Sequence, residues 1–65
     1  MAISEWECWA CAQEMLRQHG ADAAIQAAMK ADELMFDGDL DGAATWRRIV
    51  DRINALEAEP RGSLH

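Results

Sequence analysis

Three stretches of the chain place apolar residues at the three- and four-residue spacing of an α-helix, and two glycine-marked turns separate them. The pattern predicts helices over about residues 5–18, 22–36 and 41–58. No stretch alternates apolar and polar residues as a half-buried strand does. We therefore expect an all-α fold, a compact three-helix domain over residues 1–59, followed by a flexible tail over residues 60–65.

The ends of these helices carry local signals. Ser4 and the glutamate three positions later form a capping box, which predicts the start of the first helix. Gly20 suits the residue with positive φ that ends it. Asp22 is expected to cap the second helix, and either Asp39 or Asp41 is expected to cap the third.

The apolar positions of the first and third helices each form one stripe, which predicts the face that each helix buries. On the first helix the stripe consists of Trp9, Ala12, Met15, Leu16 and His19. On the third helix it consists of Trp46, Ile49, Val50, Ile53 and Leu56. We expect the core to form where these stripes meet.

The second helix is apolar around more than half of its circumference. Ile25, Met29 and Phe36 form one stripe, and the arc is extended by Ala24, Ala27, Ala28, Ala31, Leu34 and Met35. An arc this wide indicates two packing partners, so we expect helix 2 to be central among the three or to pack on a second subunit as well. Trp6 either anchors a partner or packs on its own chain. The candidate interface residues are Trp6, Ala27, Ala31, Leu34 and Met35.

Composition narrows the class of partner. The chain of 65 residues has a net charge of −6, from 12 acidic and 6 basic side chains. Nucleic-acid binding depends on basic patches, and the only local cluster, Arg47, Arg48 and Arg52, contains Asp51. We therefore expect no nucleic-acid binding, whereas a basic protein partner fits the charge. The N-terminal residues do not have the pattern of a secretory signal, and no apolar run approaches the roughly 20 residues needed to span a bilayer. We therefore expect a cytoplasmic protein without membrane contact. Its cysteines are expected to be reduced.

The segment WECWAC contains Cys8 and Cys11 at the C-x-x-C spacing of metal and redox motifs. A structural zinc site needs four ligands, but His19 lies about 12 Å along the same helix from Cys11, and His65 is in the tail. A thioredoxin-type motif follows a strand, and none precedes this pair. We therefore expect no metal or cofactor and interpret the two thiols as packing residues, with a metal- or thiol-dependent site at Cys8 and Cys11 as the alternative.

Acidic residues provide two further candidate functional sites. The turn DGDLDG matches the opening of a calcium-binding loop, but Arg48 stands where the closing glutamate belongs, so turn and capping chemistry explains its aspartates better. Asp32 lies within the apolar arc of helix 2. We expect it either to pair with a basic side chain or to lie at an exposed edge, and a functional role is the alternative. No catalytic set is complete, so an enzyme is not expected.

The layout resembles an uncharacterised family of short proteobacterial helical proteins, a domain of unknown function. The residues that carry the resemblance are Glu7, Trp9, Ala12, Gly20, Ala23, Gly38, Asp39, Gly42, Trp46 and Ile49. The resemblance implies a small cytosolic helical protein and no particular activity. Members of that family often have an arginine in helix 2 where this chain has Ala31 and Asp32, so a role of that arginine does not transfer.

These observations do not establish a function. They favour a small non-enzymatic protein–protein interaction or structural module that acts as a homodimer, with an unidentified protein partner also compatible. Besides the thiol site, the alternative is a small acidic regulator that binds a basic protein partner.

Overall fold

The computed structural model describes residues 3–58, and all regular structure within them is helical. Helix α1 spans Glu5–His19, α2 spans Ala23–Phe36 and α3 spans Leu40–Ala58. The all-α class is therefore confirmed. The expected tail over residues 60–65 lies outside the described residues.

The division into three separate helices is confirmed only in part, because α1 and α2 are joined without a loop. A single 3-10 turn, Gly20–Asp22, connects them. Gly20 has a φ of +57°, a range that glycine adopts without strain, and its N–H bonds to the carbonyl of Leu16. The expected cap at Asp22 is wrong. Its side chain accepts no capping hydrogen bond, since the 3-10 turn leads directly into α2.

The first helix begins as predicted. The Glu7 backbone N–H donates to Ser4 Oγ at 3.1 Å, and the Ser4 backbone N–H donates to Glu7 Oε1 at 2.9 Å. This reciprocal pair satisfies two backbone donors that the helix itself leaves without partners. The capping box is therefore confirmed.

The third helix begins one residue earlier than predicted, and Asp39 is its cap. The Gly42 backbone N–H donates to Asp39 Oδ1 at 2.9 Å. A Cβ at Gly42 would lie 2.5 Å from Asp39 Oδ2, so the missing side chain at this position makes room for the capping carboxylate. Gly38, with a φ of +86°, turns the chain just before the cap.

The core lies where α3 meets the two other helices. The buried residues that pack together there include Ala12, Ala23, Ala27, Ile49 and Ile53. The α2–α3 contact is the most extensive and the α1–α2 contact is the smallest, so α3 is the central helix and the expectation that helix 2 is central is wrong. The physical reason is that α3 supplies the large branched side chains of the core, whereas α2 supplies alanines.

The stripes expected on α1 and α3 are largely confirmed. Ile49 and Ile53 are buried, and the other three stripe residues of α3 are half-buried. On α1, Ala12 is buried, and Trp9, Met15 and Leu16 are half-buried. His19 is exposed, contrary to expectation, because α1 ends there and the chain turns away at the next residue.

On α2 the stripe of large apolar side chains lies outside the core. Ile25, Met29 and Phe36 are exposed, and the buried residues are Ala23, Ala27 and Ala31. Alanine side chains allow α2 to approach α3 closely, whereas larger side chains on that face would hold the two helices apart. The helix thus buries its smallest side chains and leaves its largest outside.

Candidate interaction surface

The three large side chains that α2 leaves outside form one line. At 100° per residue, Ile25, Met29 and Phe36 project within about 40° of one another, on the side opposite the buried alanines. They are 60%, 52% and 92% exposed, respectively. We call these three residues the outer stripe. Nothing in residues 3–58 covers it.

The outer stripe has the spacing of a helix–helix seam, with Asp32 as its fourth position. The intervals from Ile25 through Met29 and Asp32 to Phe36 are four, three and four residues, as along a coiled coil. Asp32 is exposed and forms no ion pair or hydrogen bond with any residue in 3–58. Of the two structural expectations for this residue, exposure at an edge is confirmed.

A groove of about 320 Å³ runs beside the outer stripe, between α2 and α3. Its lining residues are Ala28, Ala31, Asp32, Arg47, Val50 and Asp51. Alanine and valine side chains provide apolar walls, while one arginine and two aspartates supply charge of both signs. Asp32 belongs both to the groove and to the seam, so the two features form one continuous surface.

The candidate interface residues from sequence lie in different environments. Ala27 is buried inside the chain's own core, whereas Ala31, which is almost fully buried, also lines the groove between α2 and α3. Leu34 is half-buried, Met35 is 39% exposed and Trp6 is 75% exposed. The sequence analysis expected two packing partners for helix 2 but did not include the outer stripe among the candidate interface residues, although its seam-like spacing was a readable sign of a second packing face.

On another side of the molecule, a cluster of charged side chains connects α1 to α3. Glu5 accepts hydrogen bonds from Arg52 Nε at 2.5 Å and from Arg48 Nη2 at 3.3 Å. Arg48 also donates to the carbonyl of Ile3 at 3.1 Å, and the Arg52 guanidinium lies 5.3 Å from the centre of the Trp9 ring. The Arg52 hydrogen bond is the main reason that the pKa of Glu5 is lowered. This arrangement holds the helix start in place.

Within residues 3–58 the two cysteines do not converge with other potential metal ligands. Cys8 is buried, Cys11 is half-buried, and both are free thiols. Among residues 3–58, no group of three or more His, Cys, Asp or Glu side chains is placed to hold a metal ion. Cys8 is 0% exposed and packs in the interior as a small apolar side chain.

The DGDLDG turn, which matched the opening of a calcium-binding loop, has a structural role in starting α3. Asp39 of the DGDLDG turn is engaged as the α3 cap, which supports the capping explanation of that segment. In the described part of the chain, no helix combines the length and apolar character needed to cross a bilayer.

Fold and surface together define a small all-α domain with an uncovered apolar helix face beside a groove. The chain belongs to DUF6961, a family of unknown function, which it matches over residues 4–60. The resemblance noted from the sequence is thereby confirmed as membership of a family of unknown function. The comparisons with curated proteins and with solved structures gave no match.

Proposed function

We propose that the protein is a non-enzymatic protein–protein interaction module that acts as a homodimer through the outer stripe of α2. The observation that carries the proposal is the line of three large apolar side chains, each more than half exposed, on the helix of a 65-residue chain. Contiguous apolar surface of this kind on a small protein marks an interaction site. The expectations of a cytoplasmic location and of no nucleic-acid, membrane or cofactor binding belong to the same proposal.

The energetics support reversible association. Full burial of one large apolar side chain contributes roughly 1.5–3 kcal/mol, and each subunit offers three that are more than half exposed. Two subunits together therefore gain roughly 6–12 kcal/mol, against an association cost of about 4 kcal/mol or more. After subtraction of that cost, the upper end of this range corresponds to a dissociation constant in the micromolar range, which is the affinity that the proposal requires.

Sedimentation equilibrium at several loading concentrations tests the proposal. The weight-average mass should rise from one chain toward two as concentration increases through the micromolar range. A strict monomer at high micromolar concentration contradicts the proposal.

A second candidate is an acidic regulator that binds a basic protein partner, and the outer surface of α2 provides a reason for it. Asp32 occupies a seam position and the exposed Glu33 follows it, on a chain with a net charge of −6. Titration with a basic amphipathic helical peptide tests this function. Binding that weakens steeply with added salt supports it, and no binding at low salt contradicts it.

A further inference from the structure

We propose that the outer stripe of α2 binds an amphipathic helix of a different protein, with apolar residues along one face and lysine or arginine residues on both sides of that face. The inference rests on the second candidate function and deepens it, because it names the structure of the basic partner and the residues that hold it. Its grounds are the distribution of charge along the chain, the acidic side chains around the outer stripe and the lining of the groove.

The negative charge of the chain is concentrated in the segment that carries the outer stripe. Residues 22–41 contain six acidic side chains and one lysine, a formal charge of −5, whereas the net charge of the whole chain is −6. Among the described residues, the same segment holds every exposed large apolar side chain except Trp6: Ile25, Met29, Met35, Phe36 and Leu40. A partner that is complementary to this segment is therefore both apolar and basic.

Acidic side chains flank the outer stripe on both sides. At 100° per residue, Asp32 and Glu33 project about 40° and 60° to either side of the middle of the stripe, whereas Lys30 projects about 120° away from it. Both acidic residues are exposed, and neither side chain forms an ion pair or hydrogen bond with residues 3–58. Basic residues along the two borders of a partner's apolar face would meet these carboxylates, as in other complexes of an amphipathic helix with an apolar surface.

The groove beside the outer stripe extends the acidic border toward α3. Its lining includes Asp32, Asp51 and a single basic residue, Arg47. Asp51 lies one turn beyond Arg47 on the same helix and offsets its charge. The volume of about 320 Å³ accommodates the aliphatic stem of a lysine or arginine, whose charged end would lie near the two aspartates. The groove therefore suits a basic side chain at the border of the partner helix.

The outer stripe also defines the length of the partner and where its charge belongs. From Ile25 to Phe36 the stripe extends roughly 17 Å along the axis, or about three helical turns. Five of the six acidic residues of the segment come after Met29, at or near the turn between α2 and α3, and Asp22 alone precedes the stripe. The partner should therefore be a helix of at least three turns, with its basic residues concentrated at the end that lies over this turn.

A second copy of the chain is a weaker ligand for the same surface. In a homodimer through the outer stripe the two acidic segments lie beside each other, so repulsion between like charges opposes the apolar contact. A basic helix meets the same apolar side chains without this repulsion. It should therefore displace a second copy and form a complex of one chain with one helix.

Fluorescence anisotropy of two labelled peptides tests the chemistry of the partner. The probe is a helical peptide of about five turns made of leucine, lysine and alanine, with leucines at the spacing of the outer stripe and lysines on both sides, concentrated near one end. A peptide of the same composition in scrambled order has no apolar face and should bind at least about tenfold more weakly. Equal binding of the two peptides would show charge attraction alone and would overturn the inference.

Matched protein variants test the place of binding. Phe36→Ala removes one buried ring from the complex, so the dissociation constant of the probe peptide should rise about tenfold or more. Trp6→Ala removes an aromatic side chain that is 75% exposed on α1 and should change this constant by less than about twofold. Since Phe36 and Trp6 are exposed, both variants should remain folded. Equal effects of the two changes would overturn the inference.

A second pair of variants tests the acidic flanks. In about 0.1 M salt, Asp32→Asn with Glu33→Gln should weaken binding of the probe peptide about threefold to tenfold and make it less sensitive to added salt. Glu14→Gln with Glu57→Gln removes the same charge on α1 and near the end of α3, and should change the dissociation constant by less than about twofold. Equal weakening by both pairs would mean that net charge alone attracts the peptide, which contradicts the assigned site.

Sedimentation equilibrium with the probe peptide separates this inference from the proposed functions. A complex of one chain with one peptide supports it, whether the chain without peptide is a monomer or a dimer. A dimer that persists at saturating peptide overturns the inference and leaves the homodimer intact. Peptide binding that Phe36→Ala does not weaken overturns the inference alone, because a basic partner then binds elsewhere. A chain that binds no peptide at low salt overturns the second candidate function as well.

Discussion

Asp39 and Gly42 illustrate how far single residues determine this structure. The Gly42 N–H donates to the Asp39 carboxylate, and a Cβ at Gly42 would collide with that same carboxylate. Such bonds span only three residues, which is why the caps at Ser4 and Asp39 were predictable from local sequence. Asp22 shows the limit, because the 3-10 turn before α2 is set by how the chain bends after Gly20 and not by cap chemistry.

Replacing Asp39 tests the cap. Asp39→Ala should lower the free energy of unfolding by about 1 kcal/mol, within the 0.5–2 kcal/mol measured for helix caps. Urea denaturation monitored by circular dichroism measures this free energy. The slope of the free energy of unfolding against urea concentration should stay unchanged. Asp37→Ala, an exposed position two residues earlier, is the matched control and should change stability by less than about 0.5 kcal/mol. Equal effects of the two changes would rule out the capping role.

At the scale of elements, α2 shows what apolar periodicity leaves open. The spacing correctly placed a helix over this segment, and on α3 the single stripe also identified the buried face. On α2 the apolar arc was wide enough to contain two stripes, and the spacing alone did not show which of them the chain's own core buries. The close approach of α2 to α3 instead selected Ala23, Ala27 and Ala31, a choice that depends on the partner helix and not on α2 alone.

The close α2–α3 packing can be tested by enlarging one alanine. Ala27→Leu inserts three carbon atoms into the filled core and should destabilise the protein by about 1–3 kcal/mol. Ala44→Leu makes the same change at an exposed position of α3 and should alter stability by less than about 0.5 kcal/mol. Thermal and urea unfolding measure both. A tolerated leucine at position 27 would mean that the helices are not closely packed there.

The contact between α1 and α3 predicts a pH dependence. Because the Arg52 hydrogen bond lowers the pKa of Glu5 from its usual 4.5, the ionised carboxylate stabilises the fold above that pH, and this contribution is lost as the pH falls through the lower folded-state pKa. Glu5→Gln should therefore be less stable than wild type at neutral pH, with a difference that shrinks in acid below 4.5.

Urea denaturation of both proteins between neutral pH and acid measures this difference. Glu57→Gln is the control, since Glu57 is exposed and makes no ion pair within residues 3–58. A gap between Glu5→Gln and wild type that is the same in acid as at neutral pH would show that the ion pairs contribute nothing.

At the scale of the whole molecule, the small size of the domain is connected with the large apolar side chains on its surface. A domain of this length buries only about 60% of the surface of its unfolded chain, and much of this core consists of alanine side chains. The large apolar residues of α2 remain available for a second packing event. Covering the outer stripe in a dimer would stabilise the fold in proportion to protein concentration, so its melting temperature should rise as concentration increases.

NMR signals of the methionine methyl groups most directly test the central claim, that the outer stripe of α2 is the interaction surface, because these groups lie on different helices of the molecule. Met29 belongs to the outer stripe, whereas Met15 is half-buried on α1. In NMR spectra of methyl-labelled protein recorded over a dilution series from high to low micromolar concentration, the Met29 signal should shift with concentration, following a monomer–dimer curve, while Met15 stays in place. Concentration-independent spectra, or shifts at Met15 without shifts at Met29, would contradict the assignment of α2's outer face as the interaction surface.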